Sequence, residues 1–446
     1  MDVFCKIKKD LTEKMERQMN AQENWVERSF HVFPGGCLGE FNLPKELSTV
    51  LSHGKGSRIF DVYGKEFIDF SIGWGTDILG HAHPAIVKAV SGQIGKGSNF
   101  SYVSKPTLEL AEEIVRCVPC AEKIRFAASG TEATMYCIKF ARGFTGKNKI
   151  LKFEGAYHGA NDYGIMSLFP HRLLDFPQVE PTSSGYSEAI RDEVLIAPYN
   201  DLGTTSKIVE ENAGNLAAII VEPLQRCIKP KPGFLEGLRE ITRKNGVILI
   251  FDEVVTGFRL AYGGGQERYG VTPDICALGK GLGGGYPVGA VCGRKDIMNL
   301  CTESRLGTDQ SYIWYAATLG GNPVTAAASL ATLAELRKPG AYEKLYELGD
   351  YARKGFKKIL RQAGVKGQVL GEGPIMQIAF TDEEIVDYRS TYKADKKKAR
   401  EFSLSLFKKG IFLNPMGTKL YISLVHTHED IDRLIEVGAE TLREIF

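Results

Sequence analysis

Short runs of apolar, often β-branched residues recur through the middle of the chain. They are separated by stretches in which apolar positions return every three or four residues. Residues 149–153, 217–221, 247–251 and 275–278 are such runs, and residues 106–117 and 132–142 have helical spacing. Runs that are apolar on both faces are what a parallel sheet covered by helices on both sides requires. Residues 84–325 therefore read as a large α/β domain whose mostly parallel sheet is flanked by helices.

The flanking regions have a different rhythm. Residues 1–83 read as an N-terminal arm: a polar helix over 1–20, a turn at Pro34-Gly35-Gly36, and a hairpin over 58–70 split at Tyr63-Gly64-Lys65. From 326 the helical stretches lengthen, over 325–336 and 342–364. Strand-like segments follow at 375–380, 410–413 and 419–423, and a last amphipathic helix covers 429–445. This pattern predicts a smaller α+β domain over 326–446, completed by the arm.

Charge removes one class of partner: 56 Lys and Arg against 54 Asp and Glu give a formal +2, too little to draw the whole molecule onto nucleic acid. No apolar run is long enough for a membrane span, and residues 1–20 lack the apolar stretch of an export signal. The nine cysteines are odd in number and scattered. Together these features predict a cytoplasmic protein with reduced thiols. Cys117 and Cys120 form a C-x-x-C without a second pair or nearby histidine, so no metal is expected. The 49 glycines exceed average usage of about 7% and need a local explanation.

Ligands of parallel sheets gather at the carboxyl ends of strands, which directs attention to four places. The run 247–251 ends in Asp252, which suits a metal ligand, a helix cap or a partner for a protonated ring nitrogen. The run 275–278 ends in Gly279-Lys280-Gly281. If partly buried, Lys280 would have its pKa lowered from about 10.4 and could form a Schiff base; alternatively it is a surface lysine in a glycine-rich loop. Ser129-Gly130-Thr131-Glu132 opens a helix and can either receive a phosphate or act as an ordinary N-cap. Tyr157-His158 offers a face for a flat ring, or simple packing. Phosphate cradle, stacking aromatic, carboxylate and amine, in that order along one sheet, describe a site for pyridoxal 5'-phosphate.

The chain resembles the class III aminotransferases, of the aspartate-aminotransferase-like fold (fold type I), and within them the glutamate-1-semialdehyde aminomutase-like enzymes. The resemblance is carried by Ser129-Gly-Thr-Glu-Ala-Thr134, Phe153-Glu-Gly-Ala-Tyr-His158, Phe251-Asp-Glu-Val-Val-Thr-Gly-Phe-Arg259, Leu278-Gly-Lys-Gly-Leu-Gly-Gly-Gly-Tyr-Pro-Val-Gly289 and Thr318-Leu-Gly-Gly-Asn-Pro323. It implies a homodimer with shared active sites. Lys280 would be the catalytic lysine holding the cofactor, and Asp252 would pair with the ring nitrogen. Val254 and Tyr157 would lie on the two ring faces. Ser129, Gly130 and Thr131 would bind the phosphate, helped by Thr318 of the neighbouring subunit, with His158 and Glu222 completing the set.

The resemblance weakens at the substrate. Counted from Pro34-Gly-Gly36, the aminomutase's carboxylate-binding arginine falls on Asn42, with Glu40 nearby. Its active-site glutamate, aligned backwards from Ser423, falls on Thr418. Trp74 matches a pocket tryptophan. Arg226 is a replacement carboxylate binder or a salt bridge on the rim, and Arg259 an inter-domain ion pair. The leading expectation is an aminotransferase acting between a small-molecule amino donor, glutamate being one candidate, and a carbonyl acceptor such as a sugar, an antibiotic precursor or a β-keto acid. The alternative is an aminomutase or epimerase using the same cofactor. A rival of another class is a catalytically silent binding scaffold.

Overall fold

A computed structural model describes residues 24–39, 43–414 and 417–446. The helix expected over 1–20 and the positions of Glu40 and Asn42 lie outside the described residues. The centre is a seven-stranded sheet. Its strands are β4 (Lys123–Ala127), β5 (Lys149–Phe153), β6 (Val194–Ala197), β7 (Leu216–Val221), β8 (Ile248–Asp252), β9 (Ile275–Gly279) and β10 (Gly289–Gly293), in spatial order β4-β10-β9-β8-β7-β5-β6. β10 runs against both of its neighbours, and every other pairing is parallel.

The continuous apolar strands supply two cores at once. Leu249 and Phe251 of β8 join one cluster, with the helices α1 (Pro84–Ile94), α2 (Lys105–Cys117), α4 (Phe234–Asn245) and α5 (Pro323–Leu336). Ile248 and Ile250 face the other way, onto α3 (Gly130–Thr145). This two-sided burial is why the strands show no polar alternation.

Two smaller sheets flank this body. One contains β1 (Leu51–Lys55), β2 (Arg58–Asp61), β3 (Glu66–Asp69) and β13 (Ile411–Phe412); the other contains β11 (Gln368–Leu370), β12 (Ile375–Ala379) and β14 (Lys419–Tyr421). The hairpin expected from the sequence is β2–β3, and β1 is an addition to it. β3 pairs in parallel with β13, Ile68 opposite Ile411, so strands from the two ends of the chain share one sheet. A separate core gathers Phe70, just after β3, with Leu348, Phe356, Met376, Phe402 and Leu434, from β12 and the helices α6 (Ala341–Gln362), α7 (Lys396–Lys408) and α8 (His428–Ile445). No described helix is long and apolar enough to cross a membrane.

Candidate active site

The start of α3 forms a cradle. Ser129 is extended, and its Oγ accepts from Glu132 N at 3.2 Å while Glu132 Oε2 accepts from Ala128 N at 2.8 Å. Capping and anion binding are therefore compatible: the cap occupies the N–H of Glu132, while Gly130 and Thr131, the first helical residues, have no intrahelical partner for theirs. Glycine is needed where neighbours close in. A Cβ on Gly130 would stand 2.7 Å from Val254 Cγ1, and one on Gly159 (φ 89) 2.7 Å from Thr131 Cα. The 157–160 loop, held by Ala160 N donating to Thr131 Oγ1 at 3.3 Å, can thus lie against the helix start.

Beside the cradle, Asp252 ends β8. Its Oδ1 accepts from Val254 N at 3.0 Å and its Oδ2 lies 2.7 Å from His158 Nδ1, both residues being buried. Asp252 is therefore a buried carboxylate locked by histidine, not a helix cap. His158 Nε2 has no partner among the described residues. Glu222, at the end of β7, spends both oxygens on main chain: Oε1 accepts from Tyr157 N at 2.8 Å and Oε2 from Arg226 N at 3.0 Å. Burial opposes its ionisation, but the charges of Arg226 and His158 and these two donors hold the carboxyl below its ordinary value. Its visible work is to position Tyr157 and Arg226.

Lys152 escaped the sequence reading. In the apolar strand β5, its ammonium donates to the carbonyls of Ala156 at 2.9 Å, Gly164 at 3.0 Å and Met166. It thereby ties down the loop that carries Tyr157 and His158. Burial pushes its pKa down to about 7. A lone lysine inside Ile150-Leu151-Lys152-Phe153 was the available signal.

Lys280 follows β9 with φ 44, in the left-handed region that costs a non-glycine residue energy. Ile72, Trp74, Arg226 and Phe258 are also left-handed, at φ 48, 60, 59 and 56. The strain is thus shared among the segments that converge here. Burial pushes the Lys280 amine below its ordinary value against the pull of Tyr421, and Lys419 pushes the same way as burial. Tyr421 is buried, its ring lying where a Cβ on Gly75 would meet it at 2.9 Å. Burial opposes ionisation of its phenol, yet Lys419, Lys280 and Arg259 hold it below its ordinary value. Lys419 Nζ stands 5.1 Å from the Tyr421 ring centroid.

Three expectations need correction. Thr418 does not enter the site: its buried Oγ1 donates to Ile378 O and accepts from Ile378 N at 3.2 Å. Residues alternate across a strand, so Lys419 and Tyr421 take the opposite face from Thr418. Arg259 is in no ion pair with a described residue; its guanidinium donates to Gly75 O and, through Nε at 3.1 Å, to Val255 O, and lies 5.3 Å from the Tyr421 ring centroid. Arg226 forms no rim salt bridge with a described residue. It lies 5.4 Å from the Tyr157 ring centroid and 5.9 Å from that of Phe169, with Nε on Gly155 O at 3.4 Å. Trp74 sits in the left-handed turn Ile72–Gly75, 39% exposed. Thr318 is exposed, its carbonyl accepting from Asn99 Nδ2 at 3.1 Å.

A helix-start cradle that a Cβ would fill, a histidine-locked acid and a desolvated lysine fit one cofactor, and the fold around them is that of the fold type I enzymes that use pyridoxal 5'-phosphate. The family described as aminotransferase class-III matches residues 43–442, and the chain belongs to that family. Glutamate-1-semialdehyde 2,1-aminomutase 2 of Brevibacillus brevis is 38% identical over 424 residues, covering 93% of this chain and 96% of that one. The glutamate-1-semialdehyde 2,1-aminomutase of Methanocaldococcus jannaschii is 38% identical over 426 residues, 95% and 98% of the two chains. Among solved structures, an omega-transaminase from Sphaerobacter thermophilus superposes with TM-score 0.89 at 34% identity, covering 95% of this chain and 98% of that one. A β-phenylalanine aminotransferase from Variovorax paradoxus gives 0.84 at 28%, covering 98% and 96%. The cofactor is pyridoxal 5'-phosphate.

Proposed function

We propose that this enzyme moves an amino group on a small, carboxylate-bearing substrate, with Lys280 as the residue that holds the cofactor and carries the proton. The supporting observation is the row Lys280, Tyr421, Lys419: an amine with a lowered pKa, a buried phenol beside it, and a second cation on the same strand face as that phenol. Pyridoxal phosphate, when bound, draws electrons from the carbon next to the amine nitrogen it carries. The rest falls to the chain. Asp252, fixed by His158, would pair with the ring nitrogen; Val254 and Tyr157 would lie on the two ring faces; Gly130, Thr131 and Ser129 would hold the phosphate. Lys280, whose amine burial holds below its ordinary value, takes and returns a proton. Lys419 and Arg226 supply positive charge for a substrate carboxylate, which favours acids over sugars.

Two versions of the reaction follow. The names of the curated relatives favour migration of the amino group within one molecule, as in an aminomutase, over the two-substrate transfer expected from the sequence. The second reading, transfer between two molecules, is favoured by the loss of that acid: Thr418 stands where the aminomutase resemblance calls for one, and its neighbour Lys419 is a cation. Supplying one amino acid without a keto acid separates them: continued isomer formation supports migration, and a single stoichiometric turnover that resumes only with added keto acid supports transfer. Lys280→Ala tests what both share. It should abolish the visible band of the lysine-bound cofactor and lower the rate by about 10²- to 10⁴-fold.

We also propose a homodimer. Phe100, Tyr102, Val103, Trp314 and Leu319 are exposed apolar residues on the two segments that Asn99 and Thr318 join. A patch of that kind fits a second copy of the chain, from which Thr318 would reach the neighbouring phosphate cradle. A monomer by analytical ultracentrifugation would overturn this reading.

A further inference from the structure

Antiparallel pairing of β9 with β10 sets Cys276 opposite Cys292, with their Sγ atoms 3.3 Å apart. Cys120, in the connection between α2 and β4, brings a third sulfur to the pair, and all three Sγ atoms lie within 4.8 Å of one another. None of the three residues is more than 4% exposed. Gln266 closes the group. Its Oε1 accepts from Cys120 N at 3.0 Å, and its buried Nε2 has no hydrogen-bond partner in the described structure.

We propose that Cys120, Cys276 and Cys292 form a three-thiolate site for one thiophilic divalent cation of the zinc class. Size agrees: with metal–sulfur bonds of about 2.3 Å, three sulfurs around one ion lie about 4 Å apart, so the Cys276–Cys292 pair must open slightly and the group as a whole already spans the right range. Charge selects the valence. Three thiolates with a divalent ion leave one net negative charge in the core, whereas a monovalent ion would leave two, at a greater cost of burial. The Gln266 amide donor beside Cys120 suits that remaining charge. Thiols packed merely as small hydrophobes would give the donor no strong acceptor. Each coordinating S–H releases its proton to water as its sulfur binds, so uptake strengthens with pH.

The C-x-x-C spacing points elsewhere. Cys117 stays outside the group, its Sγ 3.8 Å from Ile114 O, and burial pushes its thiol up to about 12. The partners of Cys120 come instead from two strands far along the chain. A bound ion would pin the α2–β4 connection to β9, the strand that ends at Lys280.

The test uses reduced holoenzyme stripped with chelator and titrated with Cd²⁺ under ultraviolet absorption, with zinc content measured before stripping. The expected results are one cadmium per chain, a thiolate-to-cadmium charge-transfer band, and a higher melting temperature with Zn²⁺. The band should survive Cys117→Ala and be lost in Cys276→Ala and Cys292→Ala. The visible band of the bound cofactor reports folding of each variant, and Cys120→Ala, outside the strands, replaces either one that does not fold. Binding well below one ion per chain, or a band that persists without Cys276 or Cys292, would overturn the proposal.

Discussion

His158 and Asp252 are joined by a 2.7 Å hydrogen bond between Nδ1 and Oδ2, and neither side chain is more than 5% exposed. The Asp252 carboxylate, proposed to face the cofactor ring, is thereby held in one rotamer, and its main-chain contact to Val254 fixes the other oxygen. His158→Phe should leave the fold intact and lower activity by about 10- to 100-fold, the usual consequence of removing the group that orients a reactive one. Asp252→Asn should be worse, because it removes the charge as well. The check is kcat together with cofactor retained after dialysis; equal retention and rate in all three proteins would sink the assignment.

Lys419 should discriminate between substrates by charge. Lys419→Glu is expected to raise KM for acidic substrates by about 10- to 100-fold, the worth of a hydrogen bond to a charged group, and to change KM for uncharged amines far less. Thr418→Val serves as the contrast. It should lower stability, by removing both bonds to Ile378, with KM unchanged.

A Cβ on Gly289 would lie 2.0 Å from the main-chain oxygen of Ser129, a contact that no side-chain rotation relieves. Gly289→Ala should therefore displace the cradle, costing about 1–3 kcal/mol of stability and a larger share of cofactor affinity. Denaturant midpoints and the visible band read the two effects separately. Gly214→Ala provides a control for glycine loss alone, since open space surrounds that residue and its φ is not left-handed.

Stability should peak near pH 6.5 if His426 and His81 dominate its pH dependence. Burial pushes His426 down to about 4, with Ser423 N donating to its Nδ1 at 3.0 Å. As pH falls from 6.5 towards 4, the unfolded chain takes up a proton that the fold refuses, and stability declines by up to about 1.4 kcal/mol per pH unit. His81 has the opposite sign. Burial works against its charge, but Asp69, 2.7 Å away, raises its pKa, so its contribution is complete below 6.5 and fades as pH rises through the folded value. His426→Gln should flatten the acid limb and His81→Gln the alkaline one, as read by urea unfolding across pH.

The parts of the site that were legible beforehand are those at the ends of apolar strands. Asp252 and Lys280 follow uninterrupted buried runs, and such runs announce both the strand and its terminus. The strands β4 and β10 lack that signature: Lys-Ile-Arg-Phe-Ala alternates, and Gly-Ala-Val-Cys-Gly is built of small residues. Thr418 bonds to Ile378 and faces away from Lys419 and Tyr421, because on a strand one position exchanges faces, and sequence spacing alone does not say which face meets the site. The meeting of Cys120, Cys276 and Cys292 depends on cross-strand register, which has no local sequence signal. Lys152 was concealed by its apolar neighbours, although burying an amine is itself a reason to look for acceptors.

The parallel pairing of Ile68 with Ile411 governs the order of events during synthesis. The β2–β3 hairpin emerges first, yet its outer edge waits for a strand that follows far along the chain, at Ile411–Phe412. Asp430, which accepts from Ser57 at 2.9 Å and pairs with Arg58, arrives later still. The nascent hairpin therefore carries an open edge until β13 has been made. A message truncated before codon 411 would yield a chain with a complete cofactor cradle and an unsealed sheet, a natural substrate for chaperones and proteases.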